Sequence, residues 1–213
     1  MKITARLDCI DKYDRKHKVG DSWLVRESGL YLQGAGEEID EKPVHGRIIT
    51  NDLSLHLKAK CNFIDVYKIN RTSGEEWLIT FKQASIHFID ANEILINEVP
   101  ITKLNQNQFC NILNPMSDSK TLYGHRTQRK GELSFFLQPR EVIIGGIQSV
   151  ENLTKNDALI LMAQQDFTMN NKEYKSGQTF LIRGPCDFIL PIEATISERR
   201  KAIDWITNNN NQE

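Results

Sequence analysis

One short pattern occurs four times along this chain, and a self-similar sequence is committed to building the same small unit repeatedly rather than one large core. The pattern is a glycine, two or three polar residues, an aromatic ring and two apolar residues. It reads Gly20-Asp21-Ser22-Trp23-Leu24-Val25 and then Gly74-Glu75-Glu76-Trp77-Leu78-Ile79. With one inserted residue it returns as Gly131-Glu132-Leu133-Ser134-Phe135-Phe136-Leu137, and finally as Gly177-Gln178-Thr179-Phe180-Leu181-Ile182. Flanking segments repeat in phase. An alternating apolar stretch precedes two of the copies, Leu55 to Ala59 and Leu159 to Ala163, and short apolar runs with charge on them follow, as in Glu37-Glu38-Ile39, Glu93-Ile94-Leu95-Ile96 and Glu193-Ala194-Thr195-Ile196.

Period-two alternation, β-branched and aromatic residues, and Gly, Asn or Asp at the gaps indicate strands of four to seven residues. The fold expected is all-β: tandem small antiparallel sheet modules arranged linearly. Their bounds are read as 1–46, 47–101, 102–152 and 153–206, the first copy being cut short on its N-terminal side, with a disordered tail over 207–213. The connecting segments around Lys42 to Arg47 and Pro100 to Lys103 are short and mixed, so the modules should be tightly joined. The stretch Ser197 to Ile206 can be read as a short capped helix or as continuation of the preceding strand.

The glycine and the ring have distinct physical tasks. A hairpin feeding a half-buried strand often needs a positive φ, which glycine adopts freely, and this is the expectation for Gly20, Gly74, Gly131 and Gly177. A unit of about fifty residues has few apolar side chains, so one ring supplies a large share of its burial. Trp23, Trp77, Phe135 and Phe180 are therefore the expected structural anchors.

Lys plus Arg total 27 against 28 for Asp plus Glu, so no global field draws the chain to a polyanion. No apolar run reaches the length of a membrane helix, and Met1 to Asp8 has no signal-peptide core. The four cysteines, Cys9, Cys61, Cys110 and Cys186, contain no closely spaced pair, which excludes zinc ribbons and redox motifs and reads as free thiols in a reducing compartment. The five histidines are scattered, and Gly34-Ala35-Gly36 lacks what a phosphate-cradling loop needs. No catalytic constellation, metal set or cofactor motif is found, so the reading is a cytoplasmic chain without enzymatic turnover.

Two basic clusters precede the glycine and ring: Arg15, Lys16 and Lys18 in one, Arg126, Arg129 and Lys130 in the other. Read as hairpin tips, they are solvated loops or a docking surface for acidic neighbours, with RNA contact disfavoured because no aromatic stacking platform accompanies them. Modules of this kind also expose strand edges and apolar side faces. Pro43, Pro100 and Pro191 near strand ends block part of those edges, leaving side faces as the expected contacts.

Several longer strings resemble one family. Asn107-Gln108-Phe109-Cys110-Asn111-Ile112-Leu113-Asn114-Pro115, Arg129 to Pro139, Gly145-Gly146-Ile147-Gln148, and Gly177 to Arg200 with Phe180-Leu181-Ile182-Arg183-Gly184-Pro185 look like the repeat region of the major vault protein family. The resemblance covers roughly residues 5 to 203. It implies small antiparallel β repeats forming one stave in the wall of a large, hollow cytoplasmic ribonucleoprotein barrel, with other vault-type chains as partners. The sequence departs from the family in lacking a shoulder domain and a long heptad helix, and it reads either as part of a longer vault protein or as a short paralogue that keeps the wall modules. The function expected is a structural wall protein packing beside other chains. The alternative is a stand-alone β-repeat module that docks onto another large cytoplasmic or cytoskeletal assembly.

Overall fold

The computed structural model describes residues 1–40, 43–117 and 120–201. The tail 207–213 and the second half of the Ser197 to Ile206 segment lie outside the described residues. Ser197 itself sits within a strand, so the strand reading of that segment holds as far as it is described. No helix occurs among the described residues.

Four three-stranded antiparallel sheets carry the fold. Numbering only their strands, the first sheet holds β1 (Lys2–Ala5), β2 (Ser22–Leu24) and β3 (Glu37–Ile39). The second holds β4 (Leu53–Ala59), β5 (Glu76–Ile79) and β6 (Glu93–Pro100). The third holds β7 (Gln108–Leu113), β8 (Arg126–Lys130) and β9 (Val142–Ser149). The fourth holds β10 (Asp157–Ala163), β11 (Thr179–Arg183) and β12 (Ala194–Lys201). In every sheet the first strand in sequence lies in the middle, with the second and third on its flanks. This is the all-β, tandem small-sheet architecture that the repeated pattern dictates.

The central strands are apolar because they pack on one face and have no free edge. Leu55, Leu57 and Ala59 are buried on β4, Leu159, Leu161 and Ala163 on β10, and Ile3 and Ala5 on β1. Each set shares one face, since alternate residues of a strand point the same way. A short hairpin arm joins the first strand to the second in all four sheets: Cys9–Ile10 with Lys16–His17, Phe63–Ile64 with Asn70–Arg71, Met116–Ser117 with Lys120–Thr121, and Phe167–Met169 with Lys172–Tyr174. The register of the third strand slips at a bulge in three sheets, at Ile96, at Gly145 and Gly146, and at Ser197. A bulge bends the strand and strengthens its twist, so the same irregularity curves all three outer strands.

The chain divides into two compact units, Met1–Thr102 with Phe135–Pro139, and Lys103–Ser134 with Arg140–Glu213. In the first unit Arg26 of the first repeat donates to Asp90 of the second at 2.8 Å. In the second unit Gln128 of the third repeat donates to the carbonyl of Leu190 in the fourth at 2.9 Å.

Candidate functional site

The rings occupy one position of the sheet. Trp23 pairs with Ile3, Trp77 with Leu57 and Phe180 with Leu161, so each covers the apolar centre of its middle strand. All three are buried, each at or below 8% exposure. A glycine lies three residues earlier, with φ of 92° at Gly20, 81° at Gly74 and 80° at Gly177. Its amide donates to the last residue of the central strand, Ala5, Ala59 or Ala163, and a Cβ would meet nothing within 4 Å. The demand for glycine at these positions is therefore the left-handed backbone and not crowding. The indole Nε1 atoms of Trp23 and Trp77 are buried without a hydrogen-bond partner, a penalty that Phe180 avoids.

The third copy is built differently. Gly131 has φ of 79°, but it follows β8, whereas Gly74 precedes β5. The glycine that matches Gly74 in position is Gly124, at φ 76°. Three residues on stands Thr127, paired with Ile112 as Trp77 is paired with Leu57. The third sheet thus has no ring at the anchor position. Phe135 lies instead on the later strand Leu133–Phe135 and is half-buried. Six residues before Glu141, it takes the place held by Tyr31 before Glu37 and by His87 before Glu93. The hairpin arm explains the slip: Ala59 to Gly74 spans 15 residues and Asn114 to Gly124 only 10, so the pattern reappears out of phase.

A polar clamp outside the repeated glycine-and-ring pattern holds the first two rings. Asp65 accepts from the backbone of Tyr67 and Ile69 and from Arg71 Nε, each at 2.9 Å. The Arg71 guanidinium then lies 4.2 Å from the Trp77 ring and bonds Glu75 at 2.7 Å. Asp11 repeats the arrangement, accepting from the backbones of Tyr13 and Arg15, from Arg15 Nε, and from His17 Nε2 at 3.2 Å if that nitrogen is protonated. His17 stacks on Trp23 with ring centres 3.7 Å apart. Burial alone would raise the Asp11 carboxyl, but these hydrogen bonds outweigh it and hold it at about 2. In the fourth repeat Tyr174 packs against the ring instead, tilted by 38° with its centre 4.2 Å from that of Phe180. The signal was present in the sequence, since Asp11 and Asp65 each lie nine residues before their glycine, with a tyrosine two residues on.

A second buried carboxylate begins the third strand. Glu37 accepts from the Tyr31 hydroxyl and the Gly34 amide, each at 2.9 Å. Burial first, and then donation to Glu37, push the Tyr31 hydroxyl up, which keeps it a donor. Glu93 holds His87 Nε2 and the Asp90 amide, each at 2.8 Å, and Glu141 accepts from Arg129 at 2.9 Å and the Met116 amide at 3.1 Å. At the matching place in the fourth repeat stand Ala194, buried, and Phe188, packed on the same core. A polar pair in one repeat is thus an apolar pair in another.

The basic residues divide by environment. Lys16 and Lys18 are exposed in the first hairpin arm, and Arg15 there ties back to Asp11. Arg126, Arg129 and Lys130 lie along β8 and not at a hairpin tip. Arg129 is committed to Glu141, whose side chain is fully buried, so only Arg126 and Lys130 are exposed in that cluster. Apolar side chains recur on the surface: Ile10 and Ile64 hold the same place on their hairpin arms and are 60% and 68% exposed. The cysteines are free, and burial raises the Cys110 thiol, which keeps it protonated. No helix of the described residues is long and apolar enough to cross a membrane.

Recurrence of one sheet with one pinning position defines a tandem β-repeat protein. The major vault protein repeat domain matches at residues 47–86 and 152–191, the second and fourth repeats. The chain is 37% identical to major vault protein alpha of Dictyostelium discoideum, over 95% of its own length and 24% of that protein. It is 36% identical to the major vault proteins of Bos taurus and Homo sapiens, in each case over 95% of this chain and 23% of the other. The chain is similar to the major vault proteins and carries two matches to their repeat domain. It spans about a quarter of the length of these relatives.

Proposed function

We propose that this chain is a structural wall element that packs side by side with other vault-type chains in a large cytoplasmic ribonucleoprotein particle, without enzymatic activity and without touching nucleic acid or membrane itself. The observation that carries the reading is similarity to major vault proteins along 95% of the chain, joined to a module built for repetition. Two features of the modules support lateral packing. The second and third strands of every sheet lie at its flanks, where their outer backbone groups can pair with a neighbour. The exposed Ile10 and Ile64 put apolar area at the same point of successive modules, and apolar surface repeated in this way suits contact with a protein partner. The basic Arg15, Lys16 and Lys18 give such a contact a polar rim for acidic neighbours.

Sedimentation velocity with negative-stain electron microscopy tests this on the wild-type chain and on Ile10→Lys with Ile64→Lys. Concentration-dependent side-by-side association in the wild type, abolished in the variant with an unchanged melt, is expected. A wild-type chain that stays monomeric and retains unrelated cytoplasmic or cytoskeletal proteins would instead establish the stand-alone docking module.

A further inference from the structure

The fourth sheet carries a cleft with a cavity of about 330 Å³ at one end of its central strand. Ala158 on β10 pairs with Arg183 on β11 on one side and with Arg200 on β12 on the other. Directly paired residues project from the same face of a sheet, and adjacent strands lie about 4.8 Å apart. Two arginine stems therefore rise roughly 10 Å apart, with only a methyl group between them. Lys155 and Lys201 line the same cleft.

Four cationic side chains line the cleft against the one carboxylate of Asp157, the register partner of Lys201. Among the described residues neither Arg183 nor Lys155 has an ion-pair partner. Asp157, the carboxylate of the cleft, has one oxygen occupied by the Thr154 amide at 3.1 Å and hydroxyl at 2.6 Å. Arg200 bonds Glu198 at 2.9 Å, with both side chains more than half exposed, a pair that a better ligand displaces at little cost.

The fold does not require these cations. In the second sheet the matching residue is Ser54, which pairs with Val99 and donates its hydroxyl to the Val99 carbonyl. In the third it is buried Phe109, paired in register with Lys130 on one side and uncharged Gln148 on the other. Like charges gathered on one sheet face destabilise it, so the fourth sheet bears a self-repelling cluster that its sister sheets do without.

We infer that this cleft is a binding site for a small phosphate-bearing anion, gripped by the forked donors of Arg183 and Arg200 and further neutralised by Lys155. Paired guanidinium forks match the oxygens of a phosphoryl group in geometry as well as charge. Among the described residues no aromatic ring lines the cleft, so they offer a nucleobase no stacking platform and the phosphate itself is the group recognised.

Calorimetric titration of the full chain with inorganic pyrophosphate at low salt tests the site. Saturable binding of one equivalent is expected, weakened at least tenfold in Arg183→Gln and in Arg200→Gln, unchanged in Lys130→Gln of the third sheet, and falling as salt rises. Thermal melts matching wild type verify that the variants fold, and Lys155→Gln reads the same cleft should either arginine variant fail. Absence of saturable binding, equal binding by the arginine variants, or tighter binding of a polyglutamate peptide than of pyrophosphate overturns the assignment.

Discussion

The second and third repeats share one sheet and differ in what pins it. In the second, Trp77 covers Leu57 and is itself covered by Arg71, which is anchored on buried Asp65. In the third, Thr127 stands where the ring would be, and the closest counterpart of that clamp is Arg129 on buried Glu141. Strand order and the pairing of the second strand survive the exchange, and both third strands carry a bulge, of one residue in the second repeat and two in the third. The repeat therefore specifies a backbone and a pinning point, and the pin can be a ring or a desolvated ion pair. The first and fourth repeats resemble the second more closely, with His17 and Tyr174 against the ring where Arg71 lies.

The largest effect separates the rings. Trp77→Ala is expected to cost about 3 to 5 kcal/mol, as deleting a buried ring does, whereas half-buried Phe135→Ala costs less than half as much in the same urea titration. Equal losses would mean that Phe135 anchors the third repeat after all. Next come the ion pairs. Arg71→Ala strands a carboxylate with 1% exposure and is expected to cost about 3 kcal/mol, against about 2 kcal/mol for Arg129→Ala, whose side chain already has 24% exposure. A reversed order in denaturant melts would show that the third sheet leans on its ion pair more than the second does.

A smaller effect tests whether polar and apolar pins interchange. Glu93→Ala and His87→Phe each leave a buried partner unsatisfied, but together they recreate the Ala194 and Phe188 pair of the fourth repeat. The double variant should be more stable than the sum of the singles predicts, with a coupling of about 1 to 2 kcal/mol; strict additivity would refute the equivalence of the two sites. The smallest effect is acid sensitivity in the first repeat. Asp11 is held at about 2, below the unfolded value of about 3.9, so the folded state binds fewer protons in that interval. Its stabilisation is complete above pH 4 and lost as pH falls towards 2. Asp11→Asn should flatten the acid limb of the stability profile in that window, and an unchanged slope would assign the acid sensitivity to other carboxylates.

The apolar half of this design was legible in the sequence. Alternating leucines and the glycine-to-ring spacing pointed to the central strands and to Trp23, Trp77 and Phe180, because burial writes a period into the chain. Phe135 shares the glycine-to-ring motif without sharing the position, because a hairpin arm shorter than its sisters places the true counterpart at Gly124 and Thr127. The clamps were harder to see. Only the fold shows that the hydrogen-bond partners of Asp65, Glu93 and Glu141 converge on them in the interior. The cleft of the fourth sheet was illegible for a related reason: Lys155, Arg183 and Arg200 are far apart in the chain and meet only through strand register.

Hydrogen exchange on Trp77→Ala tests most directly whether each sheet is pinned on its own. If the ring pins its own module, amides of β4 lose about two to three orders of magnitude of protection while those of β10 keep theirs. Equal loss on β4 and β10 would show one cooperative core and contradict the picture of separately pinned sheets.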